Sequence, residues 1–185
     1  MTLKNSTTSY GSISKFLHWL IAIFVITMLI GGFLMGNIAD RELRIFVITM
    51  HKLSGMMILA LMTVRLLWAL QNVKPELPEA MPTWERIAER AVHGILYLAL
   101  FLMPISGWIM STAAGRPPGY YNVFNIPLPG IPQSEAIGGF FNTMHKTLAW
   151  VLVIFVTIHI LAALKHHIIN KDNTLRRMLP CKSKS

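Results

Sequence analysis

The chain has 185 residues, 54% of them apolar and only 14% charged, and carries a net charge of +9. A mean hydropathy of +0.52 excludes an ordinary soluble domain and places it among integral membrane proteins. Nucleic-acid binding is excluded as the reason for the basic excess, because Lys and Arg gather at the ends and in loops beside apolar runs.

The first fifteen residues are polar and lack a signal-peptide core, so the apolar run behind them is expected to stay as a membrane span. That run, Phe16 to Gly36, has no formal charge over twenty-one residues and carries His18 near its start. After a net-neutral loop with Asp40, Arg41, Glu42 and Arg44, a second span runs from Ile45 to Leu70 and contains His51, Lys52 and Arg65. Residues Gln71 to Arg90 are polar, with Pro75, Pro78, Pro82 and an interfacial Trp84. The third span, Ala91 to Ala114, has His93 near its start and Pro104 inside.

The connection Gly115 to Asn142 holds Pro117, Pro118, Pro127, Pro129 and Pro132; with Tyr120, Tyr121 and Phe124 it predicts a compact interfacial cap without regular strand. The fourth span covers about 145–168, its apolar run ending at Leu164 before a basic tail. Residues 1–185 therefore read as one all-α domain, an up-and-down bundle of four membrane helices.

Four spans put both termini on one side, and the Lys and Arg count says which. Twelve of these cations fall on the side of the termini, from Lys4 and Lys15 through Arg65, Lys74, Arg86 and Arg90 to the tail. Five (Arg41, Arg44, Lys52, Arg116 and Lys146) fall on the other. The positive-inside rule then expects cytoplasmic termini.

The histidines sort by depth. His145 and His159 are fourteen residues apart on the fourth helix, which makes about 3.9 turns and a rise of about 21 Å on nearly one face. His51 shares the outer level with His145, whereas His18 and His93 share the inner level with His159. Ionisable groups inside spans are costly and mark function by default, and neutral imidazole is an axial ligand for haem iron. Two stacked haems are thus expected, one held by His51 and His145, the other by His159 with either His18 or His93. With Cys181 alone there is no CxxCH attachment site, so both would be non-covalent.

An internal echo supports this reading: Thr49-Met50-His51-Lys52 repeats as Thr143-Met144-His145-Lys146. Fourteen residues after His51 stands Arg65, a cation at the inner level able to pair with haem propionates or to snorkel to the interface. Gly32 and Gly107 lie fourteen residues after His18 and His93, where a missing side chain leaves room for a macrocycle or for helix approach. Lys52 and Lys146 add positive charge beside the outer ligands. The twelve methionines read as packing, and His166-His167 as interfacial anchoring.

Nearly the whole chain resembles the bacterial cytochrome b561 family and the cytochrome b subunits of membrane formate dehydrogenases and nickel–iron hydrogenases. The likeness is carried by Ser14-Lys15-Phe16-Leu17-His18-Trp19-Leu20, His51-Lys52-Leu53-Ser54-Gly55, Val64-Arg65-Leu66-Leu67-Trp68 and His93-Gly94. It continues through His145 and His159 into Ala163-Leu164-Lys165-His166-His167 and Lys171-Asp172-Asn173-Thr174-Leu175-Arg176-Arg177-Met178. The resemblance implies two b haems with bis-histidine ligation, His18 with His159 and His51 with His145, leaving His93 near a propionate or quinone.

It further implies one-electron transfer across the membrane, linked to the quinone pool, with a periplasmic redox partner or superoxide at the outer side. A superoxide oxidase-like, quinone-dependent oxidoreductase is one form of that function. The alternative is an anchor and electron conduit for a separate periplasmic dehydrogenase or hydrogenase. A histidine-lined metal transporter fits poorly, because its ligands would converge on one path whereas these split into two levels.

Overall fold

A computed structural model describes residues 2–78, 81–120 and 123–179, and the statements below concern these. Four long helices dominate: α1 Ser12–Leu34, prolonged by a 3-10 turn Met35–Asn37, α2 Arg41–Leu70, α3 Thr83–Ala113 and α4 Glu135–Ile168. All four are long and apolar enough to cross a membrane.

Each helix reaches beyond its apolar window, because backbone hydrogen bonding continues where the side chains turn polar. The starts of α2 and α4 are set by local chemistry. Asp40 caps α2 by accepting the Leu43 N–H at 2.7 Å, and Ser134 caps α4 by accepting that of Ile137 at 3.3 Å. Glu42 and Glu135 follow in the first turns, and Lys165, His166 and His167 stand in the last turn of α4, as the helix dipole favours.

The connection between α3 and α4 departs from the expected strandless cap. Gly119–Tyr120 (β1) and Phe124–Asn125 (β2) form a minimal antiparallel hairpin, with Gly119 opposite Asn125 and Tyr120 opposite Phe124. Glycine is required there, since a Cβ on Gly119 would lie 2.4 Å from the Phe124 carbonyl oxygen. The hairpin is anchored to α3: Trp108 donates its indole N–H to the Ile126 carbonyl at 2.8 Å, and Thr112 Oγ1 accepts the Leu128 N–H at 3.1 Å. Tyr121, expected in the cap, lies outside the described residues, as do Cys181, Lys182 and Lys184 of the tail.

Neighbours in sequence pack on each other, α1 on α2, α2 on α3 and α3 on α4. Large apolar side chains such as Ile23, Ile30, Leu67, Leu98, Trp150 and Leu161 face outward, as a lipid-facing surface requires. Two clusters of buried apolar residues lie at mid-height. Ile21, Val25, Ile58 and Met62 make one; Leu96, Ala99 and Leu152 make the other, and partly buried Leu29 and Val156 touch both. This apolar layer divides the bundle into a loop end and a terminal end.

Candidate functional site

Above and below the apolar layer the helices bring imidazoles together between α4 and the first two helices. At the loop end, the rings of His51 and His145 have centroids 6.2 Å apart. At the terminal end, those of His18 and His159 are 6.1 Å apart, and His93 stands 5.1 Å from His159.

An imidazole nitrogen bonds a first-row metal at about 2.0 Å, with the ring centroid about 1.2 Å behind it. Two imidazoles on opposite sides of one iron therefore stand about 6.4 Å apart, centroid to centroid. The His51–His145 and His18–His159 separations match that span, and His93–His159 is too short for it. Sequence spacing left His18 and His93 as equal partners for His159; their separations now differ by a full ångström.

One ring of the loop-end pair is oriented by backbone. His145 Nδ1 lies 2.9 Å from the Met103 carbonyl, which can only accept, so Nδ1 carries the proton and Nε2 keeps its lone pair for a metal. Ser106, fully buried, places its hydroxyl 2.8 Å from the same carbonyl and 3.1 Å from Nδ1. Glycine makes the approach possible. A Cβ on Gly107 would sit 3.0 Å from His145 Cε1, and one on Gly32 would sit 3.3 Å from His51 Cε1. Both glycines thus admit an imidazole from the facing helix, a role their spacing alone did not reveal.

A cavity opens beside this pair, lined by Met28, Gly55, Leu100, Pro104, Gly107 and Trp108 among others. Its walls are mostly apolar, as those of cofactor sites are. Lys52 lines its mouth and donates its ammonium to the Arg116 carbonyl at 2.7 Å. Lys146 is exposed and does not line the cavity, so the two lysines expected beside the outer ligands differ in position.

The terminal-end pair is surrounded by polar side chains. Arg65 donates from Nε to the Tyr97 hydroxyl at 3.1 Å, and its guanidinium carbon lies 5.9 Å from the Tyr97 ring centroid. His93 Nδ1 faces the Glu89 carbonyl oxygen at 2.8 Å and the Glu89 carboxylate at 3.2 Å, and Lys74 reaches the same carboxylate. Burial pushes the Tyr10 phenol above its ordinary pKa, and the nearby Glu89 charge adds to the rise.

Tyr10, Glu89 and Tyr97 were not singled out in the sequence. A signal was present all the same: Glu85, Glu89, His93 and Tyr97 recur every four residues, a polar stripe along one face of α3.

His166, read from sequence as an interfacial anchor, is buried at the terminal rim between Glu85 and Asp172. It helps fold the tail back over the bundle, where the Met178 carbonyl accepts the Trp19 indole N–H at 2.8 Å.

Imidazoles paired across helices at two heights, with one ring's free nitrogen set by its neighbours, make a donor set suited to haem iron. The family model for prokaryotic cytochrome b561 matches residues 9–181. The chain belongs to that family. It is a membrane b-type cytochrome, and the family implies haem b as its cofactor.

Among relatives, it is 36% identical to cytochrome b561 homolog 2 of Escherichia coli (strain K12) over 181 residues, 97% of this chain and 95% of the relative. It is 30% identical to the probable superoxide oxidase CybB of Yersinia pestis over 175 residues, 94% of this chain and 97% of the relative. Likeness extends at 21% to a probable Ni/Fe-hydrogenase B-type cytochrome subunit of Rhizobium leguminosarum bv. viciae, over 95% of this chain and 88% of the relative.

Proposed function

We propose that this chain, a single domain over residues 1–185, is a dihaem cytochrome that moves single electrons between a partner at the loop end and quinone at the terminal end. The observation that carries the reading is the pair of imidazole couples, 6.2 Å and 6.1 Å apart, on opposite sides of an apolar layer. His51 and His145 would hold one haem b, and His18 and His159 the other. Haem b held by two histidines supplies one-electron transfer with no open coordination position.

The protein's own residues do the rest. Met103 and Ser106 fix the His145 ring, and Gly32 and Gly107 admit the loop-end imidazoles. Arg65 supplies the positive charge that offsets propionates at the terminal end. Met62, Leu152 and their neighbours keep water out of the space between the levels, so electrons have a route that protons lack.

The cation count supports an orientation with both termini cytoplasmic in an inner membrane, which puts Lys52 on the periplasmic side. A relative of near-full coverage is named a probable superoxide oxidase, and Lys52 at the cavity mouth would favour an anionic donor such as superoxide. The proposal is therefore a quinone-dependent oxidoreductase of the superoxide oxidase kind. A conduit serving a separate hydrogenase is the second reading, resting on the 21% relative.

A reduced-minus-oxidised spectrum with haem quantitation on purified protein tests the reading: two b haems per chain are expected, and one or none refutes it. Quinone reduction driven by superoxide with the purified chain alone separates the oxidoreductase from the conduit.

A further inference from the structure

We propose that the Ser106 hydroxyl raises the reduction potential of the loop-end haem by acting on His145. The inference rests on the haem reading above and adds to it a positioning residue, one that reaches the iron only through another side chain.

Met103, Ser106 and Gly107 stand at positions i, i+3 and i+4 of α3, so they share one face of that helix. All three meet the His145 ring of α4. The Met103 carbonyl oxygen lies 2.9 Å from Nδ1, Ser106 Oγ lies 3.1 Å from the same nitrogen, and a Cβ on Gly107 would fall 3.2 Å from it. At the loop end α3 thus lends no imidazole of its own but governs the far nitrogen of one. Among the described residues, His18, His51 and His159 make no hydrogen bond, so this control belongs to one imidazole of the four.

The Nδ1 proton has two acceptors here. It is offered both to the Met103 carbonyl and to Ser106 Oγ, whose own hydroxyl donates to that carbonyl at 2.8 Å. A carbonyl oxygen has two lone pairs, and the hydroxyl occupies one of them. The N–H is left shared between two oxygens and aimed squarely at neither, which weakens each bond.

A strong acceptor behind Nδ1 makes an imidazole a more basic ligand, which favours ferric iron. By diluting that acceptor, Ser106 moves the balance toward ferrous iron. The loop-end level becomes the readier acceptor of an electron arriving from that side.

Two plainer roles leave part of this geometry unused. Serine inside a helix often bonds back to the preceding turn, and the 2.8 Å contact with Met103 alone would serve that purpose. Packing alone would be met better by alanine, the stronger helix former, at a position with no exposed surface. Neither role calls for an imidazole nitrogen 3.1 Å from the hydroxyl.

The test is a potentiometric titration of the purified holoprotein, with each b haem followed by its low-spin electron paramagnetic resonance signal. The signal lost in His145→Ala identifies the loop-end haem. In Ser106→Ala the Nδ1–H passes wholly to the Met103 carbonyl. The ferrous-to-ferric ratio of the loop-end haem at a fixed ambient potential should then fall about threefold, the scale of one redistributed hydrogen bond, or about 28 mV at 59 mV per decade. The terminal-end haem should keep its potential, and both haems should stay bound. Ser106→Cys, similar in size but a weaker donor and acceptor, should fall between the wild type and Ser106→Ala.

A packing role would lower the temperature of haem release and leave the potential where it was. An unchanged or raised loop-end potential in Ser106→Ala, or an equal shift of both haems, would overturn the role of Ser106. If His145→Ala loses neither signal, the assignment of a haem to His51 and His145 itself falls, and this inference with it.

Discussion

The two histidine levels solve the same problem with different materials. At the loop end the imidazoles sit beside an apolar cavity; a backbone carbonyl and a buried serine orient His145, and Gly32 and Gly107 leave room for both rings. At the terminal end they sit among Arg65, Tyr97, Glu89 and His93, where charge and hydrogen bonds surround the rings. The ring separations, 6.2 Å and 6.1 Å, are nearly equal at the two levels, so the difference lies in what surrounds the imidazoles. Surroundings set reduction potential and proton access. On the proposed function, these different surroundings would give the two haems different reduction potentials.

The most drastic way to break this symmetry is to remove one ligand at a time. His145→Ala should leave one b haem per chain, retained by His18 and His159; His159→Ala should leave the complementary one. Pyridine haemochrome quantitation with low-temperature spectra checks both, and loss of both haems from either variant would show that the levels are not independent.

Gly107→Ala should hit the loop end selectively. Its new Cβ, 3.0 Å from His145 Cε1, forces the ring or α3 to move. Overpacking of this kind costs about 1–3 kcal/mol. Thermal release of the loop-end haem should occur at lower temperature, with Gly32→Ala a milder case because its contact is 3.3 Å.

Arg65→Gln should act at the other level, lowering the terminal-end potential by removing a cation whose charge-assisted hydrogen bonds are worth about 1.5–3 kcal/mol. A redox titration that shows both haems shifted alike would contradict the assignment of Arg65 to one level.

The smallest expected effect concerns the tail. The Asp172 carboxyl is held below its ordinary pKa, so its contribution is fully present above the unfolded value, about 3.9, and is lost as pH falls through the lower folded value. Tryptic cleavage at Arg176 and Arg177 at neutral pH should quicken modestly in Asp172→Asn. Amide exchange in the tail should quicken in the wild type only in strong acid.

Much of the bundle was legible before any coordinates. Hydropathy located four spans because lipid leaves no other way to satisfy a backbone, and histidine spacing gave two depths because helical rise is constant. Helix ends were less legible. α4 begins at Glu135, ten residues before His145, because Ser134 and Glu135 start a helix whose first turns lie outside the apolar window. The β1–β2 hairpin was missed for a related reason: two-residue strands carry no periodicity, and only the Gly119 contact betrays them.

By itself, then, the sequence determined the membrane class, the helix count, the depth of each histidine and the family likeness, all of which depend on local composition and spacing along one helix. Only tertiary structure decided what faces what: that the His18 and His93 rings stand 6.1 Å and 5.1 Å from that of His159, that Met103 and Ser106 orient His145, and that His166 is buried between two carboxylates. Depth follows from counting residues along an axis. Azimuth between helices depends on packing among residues far apart in the chain, and no single stretch encodes it.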